Sequence, residues 1–136
     1  QPDASIIVMA AAVADFKPEG VSEQKIKKNN NEVLNVQLVP TDDIAAEMGK
    51  LKKEGQLLVG FALETNDEIQ SAERKLKNKN LDFIVLNKLE ASNQVFGSDF
   101  NRITIIDKNL VTTPFEKKSK DAVASDIVEK IITLVQ

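Results

Sequence analysis

Five lysines fall at spacings that could serve an anion. Lys25, Lys27 and Lys28 crowd into the stretch SEQKIKKNNN, between an apolar run and an alternating one. Lys75 and Lys79 are four residues apart, so a helix that extends that far puts both on one face and points Lys77 elsewhere. Asp15 closes an apolar run, and Glu64 lies three residues past Phe61. A carboxylate at a strand's carboxyl end can accept from a ribose hydroxyl or hold a magnesium ion. The Asp43-Ile44-Ala45 turn opens a helix, whose free amides and dipole attract phosphate. Each feature also has a plainer reading: a solvated loop, a solvated helix face, a helix-entry charge or an ordinary cap. Taken singly, the plainer reading is the commoner one for the lysines and the helix start. For Asp15, ligand contact and turn cap are evenly balanced.

What the chain lacks narrows the chemistry further. Its 136 residues include no Cys and no His. That removes disulfides, thiolate zinc sites, cysteine nucleophiles, His-based triads and His metal ligands. Lys, Asp, Glu, Asn, Ser, Thr and backbone amides remain, with any metal held by carboxylates and phosphates. A net charge of −3 and a pI near 5.1 argue against a nucleic-acid partner. Hydrophobic content of 42% and charged content of 29% are ordinary for a globular protein, and the length suits one domain or part of one. No apolar run reaches the roughly 20 residues of a membrane span. The opening QPDAS has no basic n-region. A cytoplasmic protein without membrane contact is expected. The chain enters an apolar run within a few residues of its start, which reads as a fragment.

The elements that must carry these residues follow from periodicity. Ser5 to Ala12 is continuously apolar, as in a strand buried on both faces. Val33 to Val39 alternates and predicts a strand. A helix begins at Pro40-Thr41-Asp42-Asp43, capped by Thr41 or Asp42, with Ile44, Met48 and Leu51 as its apolar stripe, and ends at Gly55. Gln56 to Ala62 reads as a buried strand. Thr65 or Asn66 caps a helix to about Asn78, facing inward through Ile69, Ala72 and Leu76. Leu81 to Leu86 is another core strand, and Gly97-Ser98-Asp99 has a turn composition. A hairpin pairs Arg102–Ile106 with Leu110–Phe115, and Ser119 caps a helix whose Val123, Ile127, Ile131 and Leu134 recur at helical spacing. Alternating strands and helices predict an α/β sandwich with a mostly parallel sheet plus an antiparallel ribbon. Ligands of such sheets bind beyond the strands' carboxyl ends, so Ala10 to Asp15, Phe61 to Thr65 and Asn87 share one rim.

Neither GxGxxG nor a Walker A sequence is present. The ordered series AAAVADF, QKIKK, DDI, VGFALET, a Lys-rich helix, LDFIVLN and FGSDFN is more specific than any of its members. It closely resembles phosphopantothenate–cysteine ligase over nearly all of residues 5–135. That ligase is often the C-terminal part of the bifunctional coenzyme A biosynthesis flavoprotein, behind an FMN-bearing phosphopantothenoylcysteine decarboxylase.

The resemblance implies a Rossmann-like three-layer fold and a CTP- and magnesium-dependent ligation of 4′-phosphopantothenate with cysteine through an acyl-cytidylate. It implies nucleotide contacts at Met9, Ala10, Ala11 and Asp15, a catalytic lid lysine at Lys25 and a phosphate-facing helix start at Asp42, Asp43, Ile44 and Ala45. It adds Phe61 and two nucleotide-binding lysines, Lys75 and Lys79. SEQKIKKNNN would then be a closing lid. Asp42 stands where many relatives have Pro, and Leu63 where they have a small residue. An added carboxylate beside phosphates is unfavourable, which leaves Asp42 the alternative of a simple cap. The family's upstream Gly-rich and Asn/Ser-rich segment has no counterpart in residues 1–136, which therefore read as the nucleotide-binding portion of one ligase domain. A homodimer is implied too, and the exposed ribbon 102–115 is the expected interface, with Ile103 and Ile105 within it. A noncatalytic nucleotide-binding or dimerisation module of the same fold is the alternative. The missing GxGxxG disfavours a dinucleotide oxidoreductase.

Overall fold

A computed structural model describes residues 4–27, 33–64, 67–88 and 99–136. The elements are β1 (Ile6–Met9), β2 (Phe16–Pro18), β3 (Leu38–Pro40), α1 (Ile44–Leu51), β4 (Leu57–Glu64) and α2 (Glu68–Asn78), followed by β5 (Phe83–Lys88), β6 (Phe100–Asn101), β7 (Ile103–Asp107), β8 (Thr112–Pro114), β9 (Lys118–Ser119) and α3 (Lys120–Val135). The expected caps Thr65 and Asn66, the turn residues Gly97 and Ser98, and Lys28 with Asn29 to Asn31 lie outside the described residues.

The chain divides into two units, Gln1–Ala10 with Ala45–Gln136, and Ala11–Ile44. The larger unit holds a five-stranded sheet in the order β1-β4-β5-β7-β8. β1, β4 and β5 are parallel, while β7 and β8 form the expected antiparallel ribbon. Successive residues of β5 alternate between two cores. Ile84 and Leu86 join Ala72 and Leu76 of α2, while Phe83 and Val85 join Val123, Ile127 and Ile131 of α3. Helices on both faces make the three-layer arrangement expected from the pattern. Ser119 caps α3 as predicted, accepting from the Ala122 amide at 3.2 Å.

Several expectations need correcting. β1 covers only Ile6–Met9 and is an edge strand; Ile6 and Val8 are exposed instead of buried on both faces. Val33 to Val39 does not form a full strand. Only Leu38–Pro40 pairs, with β2, and one further bond runs from the Glu19 amide to the Gln37 carbonyl. The partner strand ends at Pro18, so the alternating residues beyond it have no ladder to join. Ile44, Leu51 and Ile69 are exposed: α1 reaches the core through Met48 and Gly49, and α2 through Ala72 and Leu76. Ile103 and Ile105 are core residues, because β7 lies inside the sheet between β5 and β8. They offer no exposed interface.

Asp107 organises the β7–β8 turn. Its carboxylate accepts from the Asn109 and Val111 amides at 3.0 and 3.1 Å and from Lys130 Nζ at 3.1 Å. Burial pushes this carboxyl up, but the Lys130 hydrogen bond, the two amides and the lysine's charge together hold it below the ordinary value. A lowered native pKa stabilises the fold above the unfolded value of about 3.9, and that stabilisation is lost as pH falls through the native pKa. Asp107→Asn should therefore cost about 1–3 kcal/mol at neutral pH, with the gap to wild type closing in acid. Denaturant melts at neutral pH and at pH values stepped down through the acid range test this; a gap that never narrowed would remove the charge from the explanation.

Candidate functional site

Because β1, β4 and β5 run the same way, their carboxyl ends at Met9, Glu64 and Lys88 form one rim of the larger unit. Met9 pairs with Gly60, and the next residues along the two chains are Ala10 and Phe61. A Cβ at Gly60 would lie 2.6 Å from Leu81 Cδ1, so Leu81 packs closely over this glycine. Met9 packs towards the α2 side of the sheet and Phe61 towards the α3 side. Two candidate residues of the rim are thus adjacent in backbone while their side chains enter different cores. Asn87, at the end of β5, accepts a 2.8 Å bond from the Asn101 side-chain amide.

Lys75 and Lys79 stand elsewhere. α2 leads from the rim end of β4 back to the amino end of β5, and both lysines are near its finish: Lys75 in the last turn, Lys79 as the C-terminal cap. The Lys79 amide donates to the Lys75 carbonyl at 3.0 Å, and the Asp82 amide, three residues on, donates to Leu58 at the start of β4. Both lysines are half-buried, while Lys77 is exposed. The element beside Lys79 is α1, whose Gly49 touches its carbonyl. Ala45, in the first turn of α1, belongs to the same unit.

In the smaller unit, Thr41 ties Asp15 to the approach to α1. Its amide donates to the Asp15 carbonyl at 2.9 Å and its hydroxyl to the Ala14 carbonyl at 2.5 Å. The hydroxyl expected as a helix cap is therefore spent on the strand-end segment. Asp42 and Asp43 directly precede Ile44, whose amide donates to the Asp42 carbonyl at 3.1 Å. Ala11, Asp15, Asp42, Asp43 and Ile44 thus fall in one small unit. Lys25 lies in an exposed, irregular segment of that unit. Among the described residues, no group of three or more acidic side chains could hold a metal. A divalent ion carried by phosphate oxygens remains compatible with this donor set.

Sequence reasoning overlooked three residues. Thr41 was read only as a cap. Gly49 and Asn80 were passed over, although a glycine inside a helix is unfavourable enough to need a packing reason. Asn also tolerates the left-handed backbone better than most residues, and Asn80 has φ 49°.

Helices on both faces of a sheet whose first three strands are parallel define a three-layer α/β domain. The family described as "DNA/pantothenate metabolism flavoprotein C-terminal domain" matches residues 1–135, and this chain belongs to it. A "Cysteine/Cysteine sulfinic acid decarboxylase" from an unknown prokaryotic organism is 56% identical over 133 residues, covering 98% of this chain and 37% of that protein. The "Coenzyme A biosynthesis bifunctional protein CoaBC" of Bacillus subtilis is 43% identical over 133 residues, covering 97% of this chain and 32% of its own length. The chain thus spans about a third of these curated relatives. Among solved structures, the C-terminal domain of a coenzyme A biosynthesis bifunctional protein CoaBC superposes with a TM-score of 0.74 at 28% identity, over 98% of this chain and 56% of that one. A DNA/pantothenate metabolism flavoprotein from Streptococcus pneumoniae shares the fold with a TM-score of 0.73 at 22% identity, over 98% of this chain and 65% of its own. No helix among the described residues is long and apolar enough to cross a membrane.

Proposed function

We propose that this chain is the nucleotide-binding portion of a cytoplasmic phosphopantothenate–cysteine ligase in coenzyme A biosynthesis, acting as a homodimer with CTP as co-substrate. The observation that carries the reading is family membership over residues 1–135, joined to relatives named as coenzyme A biosynthesis proteins. On this reading the carboxylate of 4′-phosphopantothenate attacks the α-phosphorus of CTP, the bond to pyrophosphate breaks, and an acyl-cytidylate forms. The amine of cysteine then attacks the acyl carbon and CMP leaves. The substrate supplies its own nucleophile, which suits a chain without Cys or His. The protein's task is positioning and placing positive charge where charge develops.

Met9, Ala10, Ala11 and Phe61 would read the pyrimidine, and Asp15 the ribose. The start of α1, from Asp42 to Ala45, would face phosphate with its free amides. Magnesium would arrive bound to the triphosphate, with Lys75 and Lys79 sharing its charge. Lys25 would act on the reacting phosphate from a lid that also excludes water. FMN would belong to a fused decarboxylase and not to this portion.

The second reading is a noncatalytic nucleotide-binding or dimerisation module of the same fold, which is compatible with 56% identity to a protein named as a decarboxylase. Calorimetric titration separates the two. With magnesium, CTP should bind this chain more tightly than ATP. Equal affinities would count against the ligase, and a folded chain that bound no nucleotide would favour the module.

A further inference from the structure

Gly49 is buried within α1, and a Cβ built on it would stand 1.9 Å from the carbonyl oxygen of Lys79 and 2.7 Å from its carbonyl carbon. These are backbone atoms, which cannot swing aside as the tip of a flexible side chain can. Asn80 closes the contact from the other side: its side-chain amide donates to the Gly49 carbonyl at 2.9 Å, and its φ of 49° turns the chain out of α2. Lys52 Nζ then donates to the Asn80 carbonyl at 2.8 Å and to Asp82 Oδ2 at 3.0 Å. The same Asp82 oxygen accepts from the Leu58 amide at 2.7 Å. One chain of bonds thus fastens the end of α1, the end of α2 and the start of β4.

The fastening holds the two helix ends together. α1 leads to the start of β4 and α2 to the start of β5, so both finish at the amino ends of these parallel strands. Lys79 is the cap of α2 and Lys75 lies in its last turn, so whatever fixes that end fixes both lysines. We propose that Gly49 and Asn80 are positioning residues for the triphosphate, fixing Lys75 and Lys79 by clasping the end of α2 to the end of α1. This rests on the reading of those two lysines as phosphate-binding groups. A methyl group at position 49 would force the Lys79 backbone to retreat by about 1.5 Å to reach ordinary contact.

The test compares CTP with CMP, each with magnesium, by calorimetric titration of the 136-residue chain. Asn80→Gly keeps the left-handed backbone accessible and removes only the amide that reaches Gly49. It should weaken CTP about 10-fold, because small misplacements of charged groups are costly. CMP lacks the two outer phosphates, so its affinity should stay at the wild-type level. A merely structural role would move both nucleotides together, or neither, while thermal unfolding confirms that the variant is folded. Gly49→Ala should show the same selective loss, and Asn80→Gly decides the matter if Gly49→Ala does not fold. A wild-type preference for CTP over CMP that Asn80→Gly retains would overturn the latch alone, as would equal weakening of both nucleotides. A wild-type chain without that preference would overturn the lysine assignment, and the latch with it.

Discussion

Ile105→Lys should leave the chain without a cooperative thermal transition. Ile105 is 2% exposed and shares a core with Phe83, Val85 and the inward face of α3. Removing the isoleucine forfeits about 2–3 kcal/mol of burial. An ammonium buried among these apolar side chains costs several kcal/mol more. Domains of this size are stable by only about 5–15 kcal/mol in total. Circular dichroism on heating gives the readout, and a variant that melted cooperatively near the wild-type temperature would show that β7 is not held in the core. The same burial explains why alternation alone misled about this ribbon. An alternating strand can face solvent with one side, but the neighbours of β7 on both edges and α3 across its face leave Ile103 and Ile105 no such side.

Supplied with 4′-phosphopantothenate, CTP, magnesium and cysteine, residues 1–136 alone should release pyrophosphate only at background rate. On the proposed reading, Lys25, Lys75, Lys79 and the start of α1 address the nucleotide. The segment expected to orient the phosphate and carboxylate of phosphopantothenate has no counterpart in these residues. Without orientation the acceptor is a dilute solute, and the lost effective molarity is worth about 7–11 kcal/mol of barrier. Adding the upstream half of a ligase domain should restore turnover. Robust activity from residues 1–136 alone would mean that the acceptor site lies within them.

Much of the larger unit was legible because its elements are decided locally. Leu58 to Ala62 and Phe83 to Leu86 are short apolar runs bounded by breakers, and each became a strand with both faces buried. Val123, Ile127 and Ile131 repeat at helical spacing behind a Ser cap, and the helix formed with that face inward. The turn at Asp107-Lys108-Asn109 announced the hairpin. Lys75 also falls on its helix as read, while Lys79 lies one residue past the helix as its cap.

The candidate site was less legible, because proximity between segments is not a local property. From the sequence, Lys75 and Lys79 could be set near the finish of one helix, but not beside α1. That followed from the parallel order of β4 and β5, which turns α2 back towards the strands' amino ends. The hydroxyl of Thr41 looked like a cap until a carbonyl 27 residues away came within reach. Gly49 and Asn80 had no visible purpose until two helix ends met closely enough to exclude a Cβ. By itself, the sequence determined the helices and inner strands of the larger unit and which residues could carry charge to an anion, since hydrophobic period and local spacing act within a few residues. Only the tertiary structure decided which strands became edges, which apolar faces stayed exposed and which charged groups became neighbours. Those outcomes depend on contacts between segments far apart in the chain, whose cost in closure entropy is offset only when the whole sheet assembles.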